Sequence, residues 1–260
     1  MTRTDSTTDE TDIEAGEPSA DADDTAAADD SDGRASEAVG TATPTLSLSG
    51  VTKRYGPTTA LDDVSIAFEP GRFHGLIGPN GSGKTTLFAL LAGLARPTSG
   101  RVDAETARVG YSFQEPRYYP DLTVWENLAV FRGFVDDPPP ESWLDTLVEE
   151  LRLGPAEHRR ADELSGGFRK KLDLGLALVK RPQYLLLDEP LADVDDYSRR
   201  RIRSFLESYR AGDRTVVVST HNVAAFADLF DRVTIIVDGE IRADGPPADD
   251  VVGQYRDALE

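Results

Sequence analysis

Residues 73–86 read Phe73-His74-Gly75-Leu76-Ile77-Gly78-Pro79-Asn80-Gly81-Ser82-Gly83-Lys84-Thr85-Thr86. Gly78 to Thr85 fits G-x-x-x-x-G-K-[ST], a loop whose backbone N–H groups close around phosphate oxygens. The flanks agree with that reading. Phe73 to Ile77 is a short apolar run and predicts a buried strand. Thr85 to Leu94 is longer and apolar, and predicts a helix. Strand, glycine loop and helix N-terminus together make an anion site, because glycine backbone can approach the anion and the helix dipole adds positive charge. Lys84 is expected to reach the outer phosphates of a bound nucleotide, and Thr85 to offer its hydroxyl to Mg2+.

Upstream of this loop, Thr45 to Val51 and Ala60 to Phe68 alternate in the manner of strands, with Thr52 to Gly56 between them as a turn. Downstream, Arg96 to Gly100 stops the first helix, and Arg108 to Phe113 predicts another strand ending at Gln114. Thr123-Val124-Trp125-Glu126 is a capping box opening a helix to about Val135. Pro138 to Pro140 break it, and Glu141 to Leu153 is amphipathic. This all-helical stretch, about 115–163, reads as an inserted subdomain. Leu164-Ser165-Gly166-Gly167-Phe168 is a second glycine turn before a helix, with Ser165 as N-cap. Gln183 to Leu187 is an apolar strand with Asp188-Glu189 at its C-terminal end, where ligands gather in open α/β sheets. A helix follows from Asp196 to Tyr209, then a strand from Thr215 to Ser219 leading to His221, and a helix to Phe230. Two strands, Val233 to Val237 and Glu240 to Arg242, close the domain, and residues 246–260 suggest a terminal helix.

Composition narrows the function classes. The 260 residues include no cysteine, so a disulfide framework and a thiolate metal site are both excluded. No apolar run reaches the roughly 18 residues needed to span a bilayer, and the polar, acidic start does not read as a signal peptide. The formal charge of −19 argues against nucleic acid as a partner. Residues 1–45 carry −11 of it and hold almost no large apolar residue, so residues 1–44 are expected to be a disordered tail. The other −8 is a surplus expected of a chain that works in concentrated salt, where self-repulsion is screened.

Taken in order, Tyr55, Gly78 to Thr86, Gln114, Leu164 to Phe168, Tyr184 to Glu189, Asp195 and His221 resemble the motif series of the ATP-binding-cassette (ABC) ATPases. The resemblance covers residues 45–245. It implies an α/β fold: a P-loop NTPase core with an N-terminal antiparallel β subdomain and an inserted α-helical subdomain. It also implies site roles. ATP would lie on Gly78, Pro79, Asn80, Gly81, Ser82, Gly83, Lys84, Thr85 and Thr86, with Tyr55 stacked on adenine. Thr85, Gln114 and Asp188 would hold Mg2+, Glu189 would polarise the attacking water, and His221 would contact the γ-phosphate. One ATP cannot use both glycine turns of one chain. The family's answer is a head-to-tail dimer, in which Leu164, Ser165, Gly166, Gly167 and Phe168 act on the ATP of the partner copy and Asp195 lies in the adjoining loop.

The resemblance further implies a subunit that drives separate integral-membrane permease subunits. It would work as a homodimer or with a second ABC ATPase, on the cytoplasmic face of the membrane. Leu-Ser-Gly-Gly-Phe-Arg-Lys-Lys-Leu looks more like the export branch than the importers. Two positions depart from the family: Phe168 stands where Gln is usual, and Ala192-Asp193-Val194-Asp195 lacks the usual Ser and small residue. The alternative reading is a soluble ABC ATPase such as an iron–sulfur cluster assembly ATPase.

Overall fold

The computed structural model describes residues 46–259. The expected acidic tail over residues 1–44 lies outside the described residues. The chain begins with an antiparallel hairpin, β1 (Leu46–Tyr55) and β2 (Thr58–Phe68), then β3 (Phe73–Ile77) and helix α1 (Lys84–Leu91). Strands β4 (Ser99–Asp103) and β5 (Val109–Ser112) follow, then helices α2 (Val124–Gly133), α3 (Ser142–Glu150) and α4 (Gly166–Leu178). The last part holds β6 (Tyr184–Asp188), α5 (Asp196–Tyr209), β7 (Thr215–Thr220), β8 (Arg232–Val237), β9 (Glu240–Gly245) and α6 (Val251–Asp257).

Two sheets result. A three-stranded antiparallel sheet has the order β2-β1-β4, and a six-stranded sheet has the order β5-β6-β7-β3-β8-β9, parallel except for β9. The central strands are apolar throughout because both faces are covered. Side chains alternate between two cores, as strand geometry requires. Leu186 and Val217 face α1 and the small sheet, with Leu48, Val64 and Phe88. Leu185, Leu187, Val216 and Val218 face the other way, toward Leu172 of α4, Leu206 of α5 and, further out, Leu128 and Leu147 of α2 and α3. The capping box forms as expected: Glu126 N donates to Thr123 Oγ1 and Thr123 N donates to Glu126 Oε2.

Three local expectations are corrected. Thr52 to Tyr55 is not a turn but the end of β1, which stays paired with β2 through register shifts; the turn falls at Gly56, with φ of 58°. Bulges let the strand continue where its apolar alternation lapses. Strand β4 lies in a stretch expected to be a helix stop. It is short, polar and at a sheet edge, so it carries little hydrophobic pattern to detect. The expected helix to Phe230 is only one 3-10 turn, Val223–Ala225. Packing decides there: Phe226 and Phe230 turn inward onto Phe73, and Gly75 leaves room for the Phe230 ring.

His74 gives the fold a pH dependence. It is buried within β3, its ring edge-on to Phe68 and its Nε2 3.2 Å from the Glu69 carbonyl oxygen. Burial holds its pKa below the ordinary 6.5, against the Glu69 carbonyl contact and the charges of Glu69 and Asp244, which push it up, while Arg232 pushes it further down. The unfolded chain therefore binds a proton that the native chain resists. The stability contributed is complete above the unfolded pKa and is lost as pH falls below it. Thermal melts between about pH 7.5 and 6 should show a falling Tm, and His74→Gln should flatten that slope. An unchanged slope in the variant would remove His74 as its source.

Candidate active site

The C-terminal ends of four neighbouring parallel strands meet at one edge of the main sheet. The Gly78 loop leaves β3, Phe113-Gln114 leaves β5, Asp188-Glu189 leaves β6 and Thr220-His221 leaves β7. Pairing fixes their level: Ser112 lies beside Leu187, Asp188 beside Ser219 and Ile77 beside Thr220. A cleft of about 360 Å3 opens there, lined by Asn80, Lys84, Thr85, Gln114, Asp188 and Glu189 among others.

The loop is shaped for an anion. Gly83, at φ 107°, is the N-cap of α1, and a Cβ there would stand 2.6 Å from the Ala60 carbonyl oxygen. Only glycine fits that position. Lys84 is buried and donates to the Gly78 and Pro79 carbonyl oxygens at 2.7 and 2.9 Å. Burial pulls its pKa down, while Glu189 and Asp188 push it back up. Ser82 Oγ is buried without a hydrogen-bond partner, an orphan polar atom inside the loop.

Asp188 is 1% exposed and fully engaged. One carboxylate oxygen accepts from Thr85 Oγ1 at 2.7 Å, the other from Ser219 Oγ at 2.9 Å. These hard oxygen donors suit Mg2+. That fits an ion held by one carboxylate, a hydroxyl and the phosphates of a substrate.

Glu189 is separated from Asp188 by a backbone kink, since β6 ends at Asp188 and Glu189 has a φ of 49°. Left-handed backbone costs a non-glycine residue about 1–2 kcal/mol. The Glu189 N–H donates to the Ser219 carbonyl oxygen at 3.0 Å, and three further contacts hold its carboxylate. Glu189 Oε1 accepts from His221 N at 2.8 Å and lies 2.7 Å from His221 Nδ1, and Oε2 accepts from Thr220 Oγ1 at 3.1 Å. Glu189 lines both the phosphate-loop cleft and a neighbouring hollow that contains His221. His221 thus reaches the cleft through Glu189, and its own exposed ring lines the second hollow.

The remaining expected residues lie apart. Tyr55 is 51% exposed, with Lys53 Nζ over its ring, and it is not among the residues lining the cleft. Ser165 caps α4, its Oγ 3.5 Å from Phe168 N, and Ser165 and Gly166 are exposed outside the cleft. Leu164 is buried beneath them and Phe168 is half-buried under Lys171 Nζ. A Cβ on Gly167 would meet the Asp193 carbonyl oxygen at 2.6 Å, so the turn is seated on the loop that precedes α5. Asp195 caps α5 by accepting from Ser198 N, and hydrogen bonds hold its carboxyl down at about 2.

Three residues went unread. Ser219 orients Asp188. Lys170 and Asp173, one turn apart on α4, are buried and grip the segment around Gln114. Desolvation pushes Asp173 up to about 6 against its hydrogen bonds. Their sequence gives no signal, because charges on a helix ordinarily predict a solvated face.

Comparison with known proteins agrees with this geometry. The sequence pattern of the family described as ABC transporter matches residues 61–192. The chain is 41% identical over 209 residues to the aliphatic sulfonates import ATP-binding protein SsuB of Granulibacter bethesdensis, covering 78% of this chain and 84% of that one. It is 36% identical over 211 residues to the Nod factor export ATP-binding protein I of Paraburkholderia xenovorans, covering 76% and 69%. The solved dimeric structure of a bacterial ABC transporter cassette superposes with a TM-score of 0.72 at 24% identity, over 77% of this chain and 98% of that one, a likeness of fold.

Proposed function

The chain belongs to the ABC transporter family as an ATP-hydrolysing, ATP-binding subunit, and from that premise we propose how its residues divide the work. ATP lies with its phosphates on residues 78–86. Lys84 moves its ammonium from two loop carbonyls to phosphate oxygens, a stronger acceptor for a charged donor. Tyr55 stacks on adenine once the base extends past the cleft. Bound Mg2+ neutralises charge developing on the phosphates. Asp188 and Thr85 hold its site, and Ser219 fixes the Asp188 rotamer. Glu189 accepts a proton from the attacking water, held on its line by His221 and Thr220. Gln114 faces the same cleft and would offer its carbonyl oxygen to the Mg2+ beside the outer phosphate.

The exposed Ser165-Gly166-Gly167 turn serves the ATP of a second copy, or of a second ABC ATPase. Its seat on Asp193 couples it to the loop beside Glu189. The pair drives integral-membrane permease subunits from the cytoplasmic face. Among the described residues no helix is long and apolar enough to cross a membrane. Relatives named for import and for export match at comparable identity, so likeness to them does not choose the direction of transport.

The contact that carries the reading is Thr85 Oγ1 to Asp188 Oδ2, which joins the first turn of α1 to the end of β6. Asp188→Asn keeps the shape but lowers the charge facing the ion. Turnover should fall by about a hundredfold, with half-saturation shifted to higher Mg2+. Wild-type turnover and Mg2+ dependence in that variant would sink the assignment.

A further inference from the structure

Helix α4 begins at the exposed glycine turn, yet its second turn is anchored deep beside the cleft. Lys170 Nζ donates to the carbonyl oxygens of Phe113 (2.5 Å), Gln114 (3.3 Å) and Asp188 (2.8 Å). Asp173, three residues on and on the same face, accepts from Ser112 Oγ (2.7 Å), Phe113 N (2.8 Å) and Arg117 N (2.8 Å). Lysine takes the carbonyls of the segment and aspartate takes its amides. Among the described residues no other side chain hydrogen-bonds to the backbone of Phe113 or Gln114. The lysine ties the same helix to the main chain of Asp188.

We propose that Lys170 and Asp173 are positioning residues, a two-pronged clamp that makes Gln114 move with α4 and so with the Ser165-Gly166-Gly167 turn. The inference rests on the ATPase reading of Gln114 and Asp188 and adds how their placement is set. Each prong is matched to its load. An ammonium has three donors for three carbonyls, and a carboxylate offers two acceptor oxygens to a hydroxyl and two amides. Lys171 extends the link the other way, donating to Ser198 Oγ at 2.7 Å on α5. A shift of the glycine turn against a partner is therefore delivered to the cleft by one rigid helix, with Gln114 at its end.

The test is a set of mutant cycles on the purified full chain. Lys170→Met removes the donors and keeps the apolar stem. Asp173→Asn keeps the shape but has one acceptor oxygen where two are used. Each variant should lower kcat for ATP by about ten- to a hundredfold, the cost of a misplaced group, with KM nearly unchanged. Lys170→Gln, which keeps a donor, should recover part of that loss. Combined with Gln114→Ala, either variant should add no further loss, because both act through the same residue. Losses that multiply with Gln114→Ala, or wild-type kcat in both single variants, would overturn the clamp. If Lys170→Met does not fold, Asp173→Asn decides by the same criteria. Full activity in Gln114→Ala alone would instead overturn the role of Gln114, and the clamp with it, while leaving Glu189 and Asp188 to their own tests.

Discussion

Replacing Glu189 with Gln is expected to reduce ATP turnover by about a hundred- to ten-thousandfold, the range that a positioned general base contributes. The variant isolates chemistry from structure. Glutamine keeps a carbonyl oxygen that can accept from His221 N, and its amide then faces Thr220 Oγ1, whose hydroxyl turns to accept, so the side chain can keep its place. What is lost is a carboxylate able to take a proton from water. Binding should persist, because the phosphates rest on residues 78–86 and not on Glu189. With hydrolysis stopped, bound ATP is no longer consumed, and a nucleotide-bridged pair of chains should accumulate. Single-turnover hydrolysis, nucleotide titration and sedimentation in ATP would read the three effects separately. Undiminished turnover would remove Glu189 from its role.

The second large effect concerns affinity. Lys84→Ala should weaken ATP binding by about ten- to a hundredfold, since a hydrogen bond to a charged group is worth about 1.5–3 kcal/mol. Stability should move the other way or hardly at all. The Lys84 ammonium is desolvated in the free chain and meets only two carbonyls, so removing it relieves a burial cost. A variant that binds poorly yet melts at the wild-type temperature would separate a phosphate role from a folding role. Equal loss of both would contradict it.

Much of this was legible from residue order. The apolar runs at β3, β6 and β7 are buried on both faces and carry a strong signal, and the glycine loop names its own ligand. Strand β4 was not legible, because a polar edge strand lacks a pattern of its own. The run from Val223 to Phe230 misled, because its apolar spacing suits a helix while the ring packing on Phe73 does not. The site divides similarly. Thr85, Gln114, Asp188 and Glu189 converge as their motifs suggest. The split between Asp188 and Glu189 comes from a left-handed residue at the strand end, which residue order does not mark. Lys170 and Asp173 stayed hidden because nothing in a sequence marks which helix charges are buried; only the return of the Gln114 segment over α4 reveals it.

If each pocket is built from two chains, two inactive variants should complement one another when mixed. Lys84→Ala disables the phosphate loop. Gly166→Asp places a carboxylate on the exposed glycine turn, where the nearest atom to a new Cβ is an ordinary 3.8 Å away, so the chain can still fold. Each variant alone should be nearly inactive. A mixed dimer would hold one pocket with both defects and one with neither, and an equal mixture should recover up to roughly a quarter of wild-type turnover. A mixture no more active than the sum of its parts would contradict the shared pocket.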